Sequence, residues 1–195
     1  MIPNWNSHGV IPPFNSIEPT GVDRSPYIAN LADVVLRFAS TPKRIEILKG
    51  FLQYRAALHS VGIVAGFQWL DGSFLEEAER IRNRSPKDID VTTFWYLPDG
   101  KTQADLAASN RQLFILGEVK RMYHTDGYMV CLSLTDKKKL EFCLQQSHYW
   151  YGVWSHQRDT FRWKGFVQID MAPQDDAVAV GILQNQETIL EGNKT

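Results

Sequence analysis

Trp69-Leu70-Asp71-Gly72-Ser73 and, after an interval of fourteen residues, Asp88-Ile89-Asp90-Val91 decide how this chain reads. The first stretch closes an apolar run, residues 61–70, whose Val, Ile, Phe and Trp bounded by glycines predict a central strand. Gly72-Ser73 then offers a turn with bare backbone amides, a chemistry suited to phosphate. Ser73 with Glu76 three residues on has the form of a capping box, which predicts a helix through Ala78 and Ile81 until residues 83–86 break it. Residues 88–96, rich in Val, Thr, Phe and Trp, predict the next strand. On a strand, carboxylates separated by one residue point to the same face, so Asp88 and Asp90 can grip hard cations together.

Outward from this centre the periodicity switches repeatedly between helix and strand. Leu31, Val34, Val35 and Phe38 predict a short helix within 27–39, and Thr41-Pro42 is an N-cap with proline at the first helical position of a helix running to Ser60. Pro98-Asp99-Gly100 is a turn. Residues 103–120 read as one helix, 127–134 as a strand, and Asp136 as the opening of a helix that includes Leu140, Phe142 and Leu144 and reaches an aromatic cluster at 149–154. Residues 164–171 read as a last strand. The expected architecture is therefore one α/β (α+β) domain over residues 26–175, a small mixed sheet flanked by helices. Residues 1–25, with Pro3, Pro12, Pro13 and Pro19, read as an extended arm that either packs over the domain or binds a partner, and 176–195 as a tail whose end is disordered.

Composition narrows the function classes. At 195 residues, 44% hydrophobic and 22% charged, the chain fits one well-buried domain. A formal net charge of −1 supplies no global field for gathering polyanions, so nucleotide or nucleic-acid contacts must come from local clusters. Cys131 and Cys143 both lie in apolar contexts outside any metal-ligand spacing and read as buried thiols without zinc or a disulfide. The N-terminus lacks the pattern of a signal peptide, and the longest apolar run is far short of the ~20 residues of a membrane span, so a cytoplasmic location is expected.

Strand, Gly72-Ser73, helix and Asp88-Ile89-Asp90-Val91 together resemble the signature of the nucleotidyltransferase superfamily with the DNA polymerase β-like fold. Trp69 to Ser73, the Asp-x-Asp stretch, Tyr149-Trp150, Arg158-Asp159 and Lys164-Gly165 further resemble a family of small uncharacterised bacterial proteins assigned to that superfamily. The resemblance implies a two-ion Mg²⁺ site held by Asp88, Asp90 and a third carboxylate, with NTP or dNTP as substrate. It implies that Gly72 and Ser73 hold the leaving phosphates. For the third carboxylate Asp126, entering the strand at 128–132, is the first choice and Asp170 the runner-up. The interval between Ser73 and Asp88 is slightly longer than the superfamily shows, which implies an extra turn of helix or a longer loop at Arg84-Ser85-Pro86.

The expected activity is transfer of a nucleoside monophosphate to an acceptor hydroxyl on RNA or tRNA, a protein or a nucleic-acid end. By analogy with small stand-alone members, a toxin–antitoxin or antiviral defence context and a neighbouring-gene protein partner come with it. The alternative is a catalytically inactive protein of the same fold acting as antitoxin, nucleotide sensor or scaffold. Residues 149–164 interleave aromatics with basic groups: Arg158 and Lys164 either meet the triphosphate or an acceptor, or solvate the edge of a helix whose aromatics, Trp150 above all, fill the core. Lys87 and Lys137-Lys138-Lys139 read as surface lysines. His124, near the proposed site, reads as a neighbour rather than a ligand.

Overall fold

The computed structural model describes residues 1–133 and 135–192. Its sheet is built around β3 (Ile89–Tyr96), whose residues are nearly all buried, as the β-branched and aromatic run IDVTTFWY requires. β2 (Gly66–Asp71) pairs with it antiparallel and β4 (Thr125–Leu132) pairs parallel on its other side. β5 (Val167–Asp170) lies antiparallel on the far edge of β2, with β1 (Tyr27–Ile28) parallel beyond it. The five-stranded mixed sheet thus runs β1-β5-β2-β3-β4. Around it are seven α-helices among the described residues: α1 (Leu31–Phe38), α2 (Pro42–Ser60), α3 (Ala78–Arg82), α4 (Gln103–Ser109), α5 (Leu116–Tyr123), α6 (Lys137–Trp154) and α7 (Asp176–Gly192). The domain is of mixed α/β class. No helix of the described residues is long and apolar enough to cross a membrane.

Strand alternation assigns each face its cover. Gln68, Thr93, Gly127 and Met129 face α2: Arg55 Nη1 donates to Gln68 Oε1 at 2.6 Å, and Tyr54 approaches Met129. A Cβ at Gly127 would crowd Val119 at 3.1 Å and the Tyr54 ring at 3.2 Å, so glycine gives α2 and α5 their close approach there. The other face carries Phe67, Trp69, Phe94 and Tyr128, stacked with each other and with the aromatics of α6. Phe67 and Phe94 have ring centroids 4.7 Å apart, and Tyr128 lies 4.2 Å from Trp150. Phe94, fully buried among them, stabilises the fold by ~1.5–3 kcal/mol. Thr41 caps α2 and Pro42 opens it, as its sequence requires.

Several local expectations differ. The first strand begins at Gly66, not at residue 61, since α2 ends in a turn over residues 61–62. Residues 27–39 divide into an edge strand and a helix capped by Asn30, whose side chain accepts from Asp33 N. Ser73 caps no helix: residues 73–77 form successive turns, with Leu75 N bonded to Gly72 O and Glu76 N to Ser73 O, and α3 begins only at Ala78. The cause is tertiary. Buried Arg44 takes the carbonyls of Phe74 and Glu76, and the Glu76 side chain is drawn to Lys164 and Arg82 instead of its own backbone. Residues 103–120 break at Asn110 into α4, a 3₁₀ turn (Arg111–Leu113) and α5.

The N-terminal arm packs over the domain, one of its two expected arrangements, and residues 176–192 form a docked helix instead of a tail. Ile2, Val10 and Ile11 are buried, Trp5 Nε1 donates to Leu75 O at 2.7 Å, and Gly165 N donates to Ile11 O. At the other end, α7 docks on α1 and α2 through Ala179 and Leu183, with Asp176 in a two-pronged ion pair with Arg55 at 2.7 and 3.0 Å. The expected disorder at the extreme C-terminus falls on residues 193–195, and the expected last strand residue Leu134 likewise lies outside the described residues.

Candidate active site

The sheet register brings three aspartates into one row. Asp71, the last residue of β2, is paired with Asp90 of β3, and Asp90 with Asp126 of β4. Paired residues share a face, and adjacent strands lie ~4.8 Å apart, so the carboxylates stand side by side. Asp88, just ahead of β3, adds a fourth. They form the floor of a cleft of about 810 Å³, walled by Tyr128, Tyr149 and Trp150 on one side and by the turn at Gly72 and Ser73 on the other. Gly72 has φ +83°, and a Cβ there would strike the Asp90 carboxylate. Glycine lets the turn lie directly against the row.

Asp170, the runner-up for the third carboxylate, is at the other end of the sheet. It pairs with Phe67, four residues along β2 from Asp71, and accepts from Ala172 N. Asp126 is the one beside Asp88 and Asp90. The sequence reading gave no place in the site to Asp71, Lys120 or Tyr128, and read Glu76 only as a capping-box partner; all four line the cleft. Asp71 had a visible signal, a carboxylate ending an apolar strand, but its place beside Asp90 depends on register. Lys120 and Glu76 had none.

Charges inside the cleft are organised by two lysines. Lys164 is buried, its Nζ 2.9 Å from Asp71 Oδ1 and 3.2 Å from Glu76 Oε1. It therefore does not extend as a free phosphate contact, as a surface role would require; two buried carboxylates hold it. Glu76 also accepts from Arg82 Nη2 at 2.8 Å and from Gln157 Nε2 at 3.1 Å. Lys120 Nζ bridges Asp88 Oδ2 at 2.8 Å and Asp126 Oδ2 at 2.9 Å. Arg158 and Lys87 line the cleft exposed, with no side-chain partner among the described residues, and Arg84 bonds only the adjacent Ser85 carbonyl. His124 faces Glu46 rather than the row, and Lys137-Lys138-Lys139 form the first turn of α6. Cys131 is buried, Cys143 half-buried, and neither is in a disulfide. Trp150 is core, packed on Tyr128 and Trp154.

The pKa shifts follow from burial and crowding. Burial first, then the charges of Asp71, Asp126 and Asp88, push Asp90 up to about 7. Burial raises Asp71 to about 6, against the pull of Lys164 and the Gly72 amide. Burial alone would lower Lys120, but its bonds and attraction to Asp88 and Asp126 outweigh this and raise it.

A family model described as "Family of unknown function (DUF6932)" matches residues 3–170. The chain belongs to the DUF6932 family. The family region runs from the packed N-terminal arm to the end of β5, so it contains the whole carboxylate row, both lysines and Glu76; α7 lies beyond it. No curated protein and no solved structure matches this DUF6932 chain.

The donor set of the DUF6932 site is all oxygen, the chemistry that hard divalent cations prefer. Among the described residues no group of three or more His, Cys, Asp or Glu side chains is placed to hold a metal ion. Lys120 draws Asp88 and Asp126 to itself and Lys164 draws Asp71. Yet Asp126 Oδ1 is buried without a hydrogen-bond partner, and the Asp90 carboxylate makes no hydrogen bond or ion pair with any described residue. These are vacant acceptors in a negatively charged setting, and they fit a cation.

Proposed function

We propose that this chain is a magnesium-dependent nucleotidyltransferase with a polymerase β-like fold, moving a nucleoside monophosphate from an NTP or dNTP to an acceptor hydroxyl. The observation that carries this reading is the register row Asp71–Asp90–Asp126 with the Gly72-Ser73 turn lying against it. Asp88, Asp90 and Asp126 would hold the cation, with Asp71 beside them. Bound magnesium would neutralise charge on the phosphates and stabilise the attacking and leaving oxygens of an in-line displacement.

The chain's own groups cover the remaining tasks. The Gly72-Ser73 turn would receive the β and γ phosphates, and Arg84, Lys87 and Arg158, exposed at the cleft, would neutralise them. Tyr128 and Tyr149, backed by the buried Trp150, would form an aromatic wall for the base. In the transfer, a bond forms between the acceptor oxygen and the α phosphorus as the bond from that phosphorus to pyrophosphate breaks. Asp126 would complete the cation site and help take the acceptor's proton.

The test is incubation with α-labelled NTPs and dNTPs, magnesium and extracts of RNA and protein. Transfer should occur and vanish in Asp88→Ala/Asp90→Ala; no transfer by the unmodified chain, or equal transfer by the variant, rejects the proposal. A nucleotide sensor or scaffold is the second reading, favoured by Lys120 spanning Asp88 and Asp126. Calorimetry separates them: a sensor binds a triphosphate with magnesium but turns nothing over, and a scaffold binds none.

A further inference from the structure

Between α6 and β5, residues 155–163 form a braced ridge rather than a loose loop. Buried Gln157 holds it from within: its backbone N donates to Arg162 O, its carbonyl accepts from Phe161 N, and its side chain donates to Glu76 at 3.1 Å. Lys164 N donates to Ser155 O and closes the base, while Arg82 Nη1 reaches Asp159 from α3 at 3.0 Å. Two clefts meet at this ridge. Arg158 and Phe161 line the main cleft, Arg162 and His8 line a second one of about 410 Å³, and Arg82 and Gln157 line both.

Phe161 is the residue that neither packing nor turn preference explains. It is 80% exposed, so its ring contributes little to the core, and it holds φ +54°, a left-handed conformation in which a bulky side chain is strained and glycine is at ease. Trp163, two residues on, is 61% exposed, its ring steadied edge-on by Phe14 and His156. The exposed charge around these rings is mostly positive. Arg158 and Arg162 lie on the ridge and Arg84 and Lys87 line the main cleft, whereas the ridge's one carboxylate, Asp159, is already held by Arg82. Arg162 has no carboxylate partner among the described residues; its Nη1 lies 2.8 Å from His8 Nδ1.

Rings open to solvent beside unopposed guanidinium groups are the two parts of a surface that takes an unpaired nucleic-acid strand, since bases stack on the rings while phosphates meet the cations. A double helix keeps its base faces inside and has no use for Phe161. An acidic protein segment would meet the cations and gain nothing from the ring. We infer that the ridge is a platform for single-stranded nucleic acid, with a base on Phe161, backbone phosphate at Arg162, and the strand crossing from the second cleft into the main one. The chain's net charge of −1 leaves such binding to local groups, and the ridge supplies them. For its purpose the inference rests on the transferase reading, in which this strand brings the acceptor hydroxyl. The binding itself needs neither metal nor triphosphate.

Fluorescence anisotropy with the full chain in chelator tests this, using labelled oligouridylate and oligothymidylate of ~12 nucleotides, within the usual range of single-strand site sizes. At least one of the two should bind more tightly than a hairpin duplex or polyglutamate of similar charge, and a preference between them tells RNA from DNA. Phe161→Gly should weaken that binding ~5-fold or more, the share of one stacked base. The same variant should melt no lower than the parent, because glycine relaxes φ +54°. Arg162→Met should flatten the slope of log affinity against log salt by ~0.7, the loss of one phosphate contact. The inference is overturned by any of four results: neither strand binds, duplex or polyglutamate binds as well, Phe161→Gly binds like the parent, or Arg162→Met keeps the parent's salt slope. The labelled-nucleotide assay on the same preparation keeps the two proposals apart. Strand binding without transfer sinks the transferase reading and leaves the platform standing; transfer without strand binding does the reverse.

Discussion

Replacing Asp90 by asparagine should make the metal-free chain more stable above neutral pH, the reverse of what removing a buried polar side chain does elsewhere. Asp90 is raised from 3.8 to about 7, by burial first and then by Asp71, Asp126 and Asp88. The sign follows from proton binding in the two states. Below about pH 3.8 the carboxyl is protonated both folded and unfolded. Between there and about pH 7 the folded chain keeps a proton that the unfolded chain has lost, so stability falls as pH rises. Above about pH 7 the full penalty is present. At ~1.4 kcal/mol per pH unit, a displacement of about three units makes that penalty ~4 kcal/mol.

Asparagine keeps the shape and carries no charge, so Asp90→Asn should recover most of that energy at pH 8 and little of it at pH 4. Urea denaturation in chelator across pH 4–8 measures this directly. The unmodified chain should show the descending limb, and the variant a flatter curve lying above it at the alkaline end. Mn²⁺ at about a hundred times its Kd should narrow the gap without closing it, because it adds ~2.7 kcal/mol only to the chain that binds it. A variant no more stable than the parent at pH 8, or one with the same pH slope, would refute the crowded-carboxylate account of the site.

Gly72→Ala should cost ~1–3 kcal/mol, because the residue holds φ +83° and its new methyl would meet the Asp90 carboxylate; thermal melts check this, and a midpoint within a degree of the parent contradicts it. Lys164→Met should cost ~3–5 kcal/mol by leaving Asp71 and Glu76 buried without their shared cation. Adding Glu76→Gln to that variant should restore part of the loss, and strict additivity in a double-mutant cycle would show the groups to be independent. Arg55→Met should release the Asp176 end of α7 from α2, seen as faster hydrogen exchange over residues 177–192 while β3 amides stay protected.

The parts of this fold legible in the sequence are those set by local chemistry. Thr41-Pro42 marks the start of α2, the run 89–96 marks a central strand, and the glycine after Asp71 marks a left-handed turn. Where a distant side chain intervenes, local signals mislead. Ser73 and Glu76 have the spacing of a capping box, but Arg44, thirty residues away, takes the carbonyls a regular helix would use. Asp88 and Asp90 were visible from spacing alone because both belong to one strand approach. Asp71 was not, since its place beside Asp90 depends on the pairing of β2 with β3. Lys120 faces Asp126 across the left-handed turn at His124, a geometry that no residue pattern announces. α7 was hidden because its apolar side that meets the core is narrow, with only Ala179 and Leu183 buried, and its anchor is an arginine on another helix.

Crowding four carboxylates at one end of a sheet creates a force that would part the strands or swing the turn away, and two buried arginines stand against it. Arg44 ties Phe74 O, Glu76 O and Glu79 together, fixing the turn that follows Asp71. Arg55 ties Gln68 in the middle of β2 to the carbonyls that follow β5 and to Asp176. One clamp therefore holds the cleft end of β2 and the other its body, and neither arginine lines the cleft. A carboxylate row free to relax would lower its own energy by separating, and would then need to be reassembled at each encounter with a cation or phosphate. Holding it under repulsion moves that cost into folding, so that binding charge of the opposite sign is favourable from first contact.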